Sequence, residues 1–333
     1  MNRIILLLAV FIISICMVAS AQNPNLGTAG AQFLKIPVGP RAAAMAGAYV
    51  SNANDASALF WNPAGIAAVK GNELFASYTA WWAGMSVSQA AFVHSSEDIG
   101  SFGISMNLFT MGDMEVTTES EPEGTGQKFN AQDLMLGASF ARRLTEDFSV
   151  GITVKLVSQR IWNESATGMA FDVGTQYRIG FRDLTIGMSM SNFGADMKYD
   201  GRDLAVKYDS DTQNPNNRLA PARLGTEDYP LPLFFQVGVS MSPYVSDDLS
   251  VMVATDVAHP NDNKERVNVG VEVSFLKQFY LRGGYRFGYD TERGTVGGGV
   301  AVPFEGLNLT VDYAYAMYDL LPNISRFSIG MTF

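Results

Sequence analysis

The sequence predicts an all-β membrane protein: a 14-stranded antiparallel outer-membrane β-barrel that follows a small amino-terminal plug segment. Four observations support this prediction. The chain opens with an export signal, and from residue 72 onward apolar and polar residues alternate with a period of two. The connections between the alternating stretches are short at one end and long at the other. Only 17% of the residues are charged, against about a quarter in ordinary soluble domains.

Residues 1–21 have the pattern of a secretory signal peptide. Arg3 precedes an apolar run over 4–15, and a small-x-small cleavage site occupies 19–21. The apolar run is shorter than the roughly 20 residues that a spanning helix needs. We therefore expect the mature chain to begin at Gln22.

Cys16 is the one cysteine of the chain, and it lies within the segment that the signal peptidase removes. A lipoprotein signal would need a small residue where Ile15 stands. The mature protein is therefore expected to lack a disulfide, a thiolate metal site and a cysteine nucleophile.

The alternating stretches after residue 71 are predicted to be strands. One of them places Val267, Val269 and Val271 on one face, with Asn268 and Gly270 between them. The predicted strands are 72–82, 85–94, 99–111, 128–142, 147–162, 166–180, 183–193, 230–243, 248–259, 264–275, 277–288, 293–303, 306–319 and 323–333.

The connections between these strands differ in length according to the strand that precedes them. Those after even-numbered strands are tight, whereas the two long ones, 112–127 and 194–229, both follow odd-numbered strands. Outer-membrane barrels have short periplasmic turns and longer extracellular loops. Both long loops are therefore expected outside the cell, and 194–229 is expected to have no regular structure.

Aromatic residues cluster at the predicted strand ends, where girdles meet the lipid headgroups. The final strand is amphipathic and ends on Phe333, a pattern similar to the signal that the barrel-assembly machinery reads. The predicted outer ends carry Trp81, Trp82, Trp162, Phe193 and Tyr318, and the inner ends carry Phe148, Tyr244, Phe279, Phe304 and Phe333.

The polar phase of the strands places a balanced set of charges in the lumen. A selective pore would more often show a ring of one sign. Paired charges that brace a narrow or plugged lumen are the favoured interpretation, because buried ions need partners; a substrate path is the alternative. The predicted lumen charges are Lys155, Asp172, Arg178, Asp256, Glu272, Arg282, Arg286 and Asp312.

Residues 22–71 do not alternate, and barrel strands are predicted only over 72–333. Asn54 or Asp55 is expected to cap a short helix, which Asn62-Pro63 then ends because proline restricts the residue before it. We expect this compact plug segment to enter the periplasmic mouth of the barrel.

The stretch GPRAAAMAGAYVSNANDASALFWNPAGIA, residues 39–67, resembles the amino-terminal signature of the PorV/PorQ family. The resemblance implies the fold of the long-chain fatty-acid transporter FadL, with fourteen strands and an amino-terminal plug, in the bacterial outer membrane. The plug-motif residues that carry it are Arg41, Asn62, Pro63, Ala64 and Gly65.

The resemblance implies two functions. The favoured one is an outer-membrane β-barrel component of the type IX protein secretion system that handles or anchors exported cargo proteins. Its implied partners are the translocon, the cargo, the barrel-assembly machinery and outer-membrane lipid. The alternative is a FadL-like transporter for hydrophobic small molecules, and an apolar pocket in the lumen or its lateral wall would favour it.

Enzymatic and nucleic-acid functions are not expected. His94 and His259 are the only histidines, and no pattern brings them together. The net charge of −10 disfavours nucleic acid, which needs clustered Lys and Arg. The loop from Asp209 departs from a calcium-binding loop, with Asn214 where glycine is required and Ala220 where glutamate is required. No metal or other cofactor is predicted.

Overall fold

The computed structural model describes residues 25–209 and 220–333. The expected signal peptide, 1–21, and the expected mature start at Gln22 lie outside the described residues. Fourteen long strands pair antiparallel, each with its neighbours in the chain, and the first strand also pairs with the last. The predicted 14-stranded β-barrel is therefore confirmed.

The barrel strands lie close to their predicted positions. Their bounds are β1 Asn72–Ala80, β2 Ser86–Ser96, β3 Gly100–Thr110, β4 Ala131–Arg143, β5 Phe148–Ile161, β6 Glu164–Ile179, β7 Leu184–Gly194, β8 Phe234–Val245, β9 Leu249–Pro260, β10 Arg266–Phe275, β11 Phe279–Phe287, β12 Glu292–Phe304, β13 Leu307–Tyr318 and β14 Ile324–Thr332.

The barrel closes where β1 meets β14, with Ser77 opposite Ser328 in the ladder. Beyond the last paired strand residues, Asn72 N donates to Phe333 O, and Phe333 N donates to Asn72 O, both at 2.9 Å. Hydrocarbon offers no hydrogen-bond partner to a free strand edge. Closure at Phe333 therefore satisfies the edge that the first and last strands would otherwise expose.

The two ends of the barrel differ. We call the end that carries the tight turns after even-numbered strands the short-turn end, and the opposite end the long-loop end. The long connections are the 111–130 loop and the 195–233 loop. This asymmetry is that of outer-membrane barrels, which places the long-loop end outside the cell.

The 195–233 loop is more ordered than expected over its described residues. Residues 205–208 pair with 220–223 in a short ribbon, and Met197 pairs with Tyr229 at the base of the loop. The strand after it begins at Phe234 instead of 230, because Pro230 and Pro232 supply no N–H to a ladder.

Over the described residues 25–71, the amino-terminal segment contains only short helical turns. They are 3-10 turns at Gln32–Lys35, Ala56–Phe60 and Pro63–Ala68, and one α-helical turn, α1, at Pro40–Ala44. The predicted cap is confirmed, since the Asp55 side chain accepts a hydrogen bond from Ser57 N. Among the described residues, no helix has the length and apolar character needed to cross a membrane.

The barrel fold predicts that an arginine on the lipid-facing side costs more stability near mid-membrane than near an end. Val271, 37% exposed, lies on the outer face near the middle of β10, and Val267 lies on the same face near the long-loop end. Val271→Arg should lower the free energy of unfolding by about 2–4 kcal/mol, and Val267→Arg by about 0–1 kcal/mol. Denaturant unfolding in lipid vesicles measures both, and equal losses would contradict a lipid-facing β10.

Candidate functional site: the filled lumen

The described amino-terminal segment runs through the lumen from one end of the barrel to the other. At the long-loop end, Gly27 N donates to Asp262 O at 3.1 Å, and Lys35 Nζ lies 2.6 Å from the Asp262 carboxylate. Burial lowers the pKa of Lys35, and the hydrogen bond to Asp262 acts against that shift. The segment reaches the short-turn end at Gly71. It therefore extends much farther than the expected position at the periplasmic mouth.

Arg41 ties this segment to the barrel wall. Its Nε donates to Glu272 at 3.1 Å, and its Nη2 donates to the second oxygen of the same carboxylate at 3.3 Å. Nη1 donates to Asn54 at 2.7 Å and to Asp55 at 3.0 Å, both within the segment. One guanidinium thus holds two parts of the segment against β10, in the bidentate geometry that favours arginine.

The wall continues this ion network away from Arg41. Arg282 Nε donates to Glu272 at 2.6 Å, and its Nη1 donates to Asp312 at 2.5 Å. The four groups alternate in sign from the segment through β10 and β11 to β13. Each charge has an opposite neighbour, which is the condition for keeping ions away from bulk water.

Asp55 is held in its charged form inside the segment. Burial acts to raise its pKa, but the charge of Arg41 and the hydrogen bonds from Ser57 and Tyr49 outweigh burial and lower the pKa. A carboxyl with a lowered pKa stabilises the fold above its unfolded pKa, about 3.9, and loses that effect as the pH falls through its folded pKa. The Arg41–Asp55 contact therefore stays intact at neutral pH.

Two further wall charges bind backbone atoms of the segment. Asp256 is fully buried and accepts from the N–H groups of Tyr49 and Val50 at 2.9 Å each. Arg286 Nε donates to Ala46 O at 2.9 Å, and its Nη1 binds Glu292. These contacts satisfy polar backbone groups that have no strand ladder of their own.

The Asn62-Pro63 motif docks on the opposite wall. Asn62 is fully buried; its Nδ2 donates to Val50 O at 2.9 Å and to Thr175 O at 3.0 Å, and its Oδ1 accepts from Ala64 N at 3.1 Å. All the polar capacity of the side chain is used except one acceptor lone pair. Asn62 therefore links the segment to β6 through hydrogen bonds.

Glycines in the wall leave space for the Asn62-Pro63 motif. A Cβ at Gly174 would lie 2.0 Å from Asn62 Oδ1, and one at Gly151 would lie 2.4 Å from the Pro63 carbonyl carbon. Within the segment, a Cβ at Gly65 would lie 2.3 Å from Ala53 O. Any side chain at these positions would push the motif off the wall.

The remaining predicted lumen charges lie elsewhere. Lys155 Nζ lies 2.5 Å from the Asp172 carboxylate and donates to Asn192 at 3.0 Å, and all three are buried. Arg178 differs from expectation: it is exposed at the short-turn mouth, and over 25–209 and 220–333 it has no ion pair.

The sequence prediction missed several lumen charges, among them Glu73, which accepts a hydrogen bond from Ala56 N at 3.0 Å, Glu292 and Arg326. Glu292 was placed one residue before its strand, which begins there and not at 293. Arg326 has the same phase as Ser328 and Thr332, the polar residues that alternate with Phe327 and Ile329, so the alternation already indicated that it points inward. Three predicted girdle residues, Trp81, Trp82 and Tyr318, line a cavity at the lumen mouth.

The base of the 195–233 loop packs on the segment inside the barrel. Met197 and Leu231 are buried in one apolar cluster with Phe33, and the ring of Tyr229 lies against that cluster. The Tyr229 hydroxyl also donates a hydrogen bond to Gln159 Oε1 of β5 at 3.1 Å. The loop base and the start of the segment therefore form one packed layer at the long-loop end.

A barrel of fourteen strands filled by its own amino-terminal segment defines a FadL-like outer-membrane barrel. The fold is similar to the TodX deltaS2S3 mutant monoaromatic hydrocarbon channel, with TM-score 0.55, 13% identity, and coverage of 88% of this chain and 97% of that one. It is also similar to the Pseudomonas putida toluene transporter TodX, with TM-score 0.53, 11% identity, and coverage of 85% of this chain and 95% of that one. A third similar structure is a Pseudomonas aeruginosa FadL homologue, with TM-score 0.53, 14% identity, and coverage of 90% of this chain and 98% of that one. At these identities the likeness shows the fold alone.

The family is shown by sequence. The family model described as type IX secretion system protein PorV matches residues 19–217, more than half of the chain. The chain therefore belongs to the PorV family and is a bacterial outer-membrane β-barrel of the type IX secretion system. No curated protein matches its sequence.

The Arg41 contacts predict that its removal loosens the segment. Arg41→Met leaves Glu272 and Asp55 without their shared cation, and should cost on the order of 2–3 kcal/mol, below the value for a fully buried pair because the site is partly exposed. Limited proteolysis of the vesicle-inserted protein should then cut within residues 39–71. The control is Arg293→Met, which breaks an exposed pair with Asp319 and should change little; equal protease resistance of both variants would contradict this role for Arg41.

Proposed function

We propose that this barrel holds exported cargo or the translocon at the cell surface with its long-loop end, and does not conduct protein through its lumen. The filled lumen supports this proposal. Residues 25–71 occupy it from end to end and are bonded to the wall through Arg41, Asn62 and Asp256. A protein chain could not pass through the lumen without displacing these residues and breaking their buried ionic contacts. We therefore expect partners to bind at the long-loop end.

The 195–233 loop offers a surface suited to a protein partner. In its ribbon, Tyr208 is 60% exposed, and beside the ribbon Leu224 is 56% exposed. The loop also carries exposed ion pairs, Lys198–Asp228 and Arg223–Asp200. Exposed apolar groups within a charged rim are the usual composition of a transient protein interface. A binding role of this kind requires no catalytic group, and we propose that the protein is not an enzyme.

Uptake of hydrophobic small molecules is a second candidate, and one observation favours it. An apolar groove of about 710 Å³ lies on the outer face of β1–β3, where the small side chains of Ala76 and Ala90 sit between Ile104 and Ile329. The lumen cavities, in contrast, are lined by charged and polar groups as well as apolar ones. This contrast favours a surface role over passage of an apolar substrate through the lumen.

We also propose that residues 1–21 direct export and are removed, and that the barrel-assembly machinery recognises the end of β14. Phe333 supplies both an aromatic side chain, 49% exposed, and the two backbone hydrogen bonds to Asn72. These two contributions can be separated, because the side chain can be removed while the backbone stays.

Removing the ribbon of the 195–233 loop tests the surface role. Deleting residues 203–225 and joining the ends with a short Gly-Ser turn keeps the Met197–Tyr229 base, and loop length itself costs little stability. The barrel should fold and reach the outer membrane, but cargo should no longer be anchored at the surface. Cell fractionation and surface labelling of cargo measure this.

The matched control for the ribbon deletion is a Gly-Ser segment of the native length, which preserves reach but removes the sequence. We expect it to fail in the same way. Normal cargo anchoring in the deleted variant, together with loss of uptake of an apolar compound, would instead establish the transport alternative.

The carboxy-terminal end predicts a graded effect on assembly. Phe333→Ala keeps the hydrogen bonds to Asn72 and removes the aromatic ring, whereas deletion of Phe333 removes both. If the ring is the recognition signal, both variants should appear in the outer membrane more slowly than the native chain, as followed by heat-modifiable migration in a pulse-chase. An Ala variant that assembles at the native rate would show that the ring is not recognised.

A further inference from the structure

A cavity of about 510 Å³ lies between the amino-terminal segment and the barrel wall at the long-loop end. Its volume is in the range of about 300–1,000 Å³ that is typical of small-molecule sites. Its lining is rich in aromatic rings, because three of the four tryptophans of the chain contribute to it, together with two tyrosines and one phenylalanine. These residues are Trp61, Trp81, Trp82, Phe234, Tyr289 and Tyr318.

Three of these rings form a fixed corner of the cavity. The centre of the Trp82 ring lies 4.7 Å from that of Trp81, with the ring planes at 52°, and 4.9 Å from that of Tyr318, with the planes at 84°. Trp82 Nε1 donates to Pro322 O at 2.7 Å, which holds the ring in its orientation. All three side chains are half-buried, so part of their ring surface stays in contact with water. A ligand that covers this aromatic surface gains free energy.

The charges of the cavity lining balance. Two of its cations are paired with two of its carboxylates, Lys35 with Asp262 at 2.6 Å and Arg286 with Glu292. Arg266 and Asp290 remain, one of each sign, and neither has an ion pair among the described residues. A lining without net charge favours a ligand without net charge.

Arg266 and Asp290 offer hydrogen bonds that a ligand can reach. The Arg266 guanidinium stacks on Tyr289, with Cζ 4.4 Å from the ring centre; protein encloses its Nε, whereas its other two nitrogens keep accessible surface. Asp290 is exposed in the turn between β11 and β12. Neither side chain has a hydrogen-bond partner over 25–209 and 220–333. A purely apolar ligand would remove water from both groups without replacing its hydrogen bonds, which costs free energy.

We propose that this cavity binds a neutral pyranose sugar that enters from the long-loop end. The C–H face of the sugar ring is apolar and packs on the corner formed by Trp81, Trp82 and Tyr318. Its hydroxyl groups both donate and accept, so they donate to the Asp290 carboxylate and accept from the Arg266 guanidinium. A hydrocarbon would satisfy only the rings, and a simple anion only the arginine.

The sugar site does not depend on cargo binding by the 195–233 loop, because no described residue of that loop lines the cavity. The same chemistry is offered by a free sugar in the medium and by the terminal sugar of a surface glycan, and both reach the long-loop end from outside the cell.

Titration of the protein in a polyoxyethylene detergent, which carries no sugar, tests the site. The probes are the methyl glycosides of glucose, galactose and mannose, followed by calorimetry and tryptophan fluorescence, and at least one of them should bind saturably. Sorbitol, which has the hydroxyl groups without the ring face, and cyclohexanol, which has the ring without the set of hydroxyls, should bind at least about tenfold more weakly. Three results would each overturn the proposal: no binding of any glycoside, equal binding of cyclohexanol, or tighter binding of glucuronate, which adds a negative charge to the same ring.

The source of the sugar is identified by competition. The competitor is the lipid-free polysaccharide released from the lipopolysaccharide of the same bacterium. Displacement of the bound glycoside would assign the site to a surface glycan, and no displacement would assign it to a free sugar. Both results support the site, which binding of the glycoside itself establishes.

Variants assign the sugar to its residues. Asp290→Ala and Trp82→Ala should each weaken glycoside binding by about fivefold or more. The matched controls are Asp319→Ala, at an exposed carboxylate of the same end, and Trp162→Ala, at a tryptophan of the same end; neither residue lines the cavity, and both variants should keep the native affinity. If Trp82→Ala does not assemble, Asp290→Ala and Arg266→Gln still decide the matter. Native affinity in these two, or an equal loss in the controls, would overturn the assignment.

Discussion

The absence of hydrogen-bond partners in hydrocarbon determines the rest of this structure. Every backbone N–H and C=O within the bilayer must be satisfied by the protein itself, and a sheet meets that condition only when it has no edge. Here the condition is met at one seam, where Asn72 and Phe333 exchange hydrogen bonds and β1 pairs with β14. A closed sheet of this size encloses a lumen, so the same constraint that removes the edge creates an interior to be filled.

The filling is chemically specific. The segment over 25–71 has few regular elements, and its free backbone groups find partners on the wall: Asp256 accepts two N–H groups, Arg286 binds a carbonyl, and Asn62 joins Val50 to Thr175. The wall in turn needs the segment, because Glu272 without Arg41 would share a single cation with Asp312. Neither part satisfies its buried polar groups alone, which explains how so many charges are tolerated in an interior.

The sequence predicted the strands well because side chains on a strand alternate between lipid and lumen, and this alternation is visible one strand at a time. It could not predict the course of the plug, because residues 25–38 carry no periodicity that says which end of the barrel they reach. The contact for which Gly174 leaves space, with Asn62, is between residues far apart in the chain, so the spacing of residues in the sequence does not predict it. The ribbon at 205–208 was missed because it is short, and Trp81 was assigned to the girdle because position along a strand does not tell whether its last residues turn inward.

The course of the segment also bears on the order of events in folding. The described chain starts beside Asp262 at the long-loop end, crosses the whole interior and enters β1 at the opposite end. If the sheet closed first, this stretch would have to be threaded through a narrow tube while its charges were stripped of water. Wrapping the strands around a segment already in place avoids that barrier, so the seam between β1 and β14 is the natural last step. The plug is then a template on which the barrel is built.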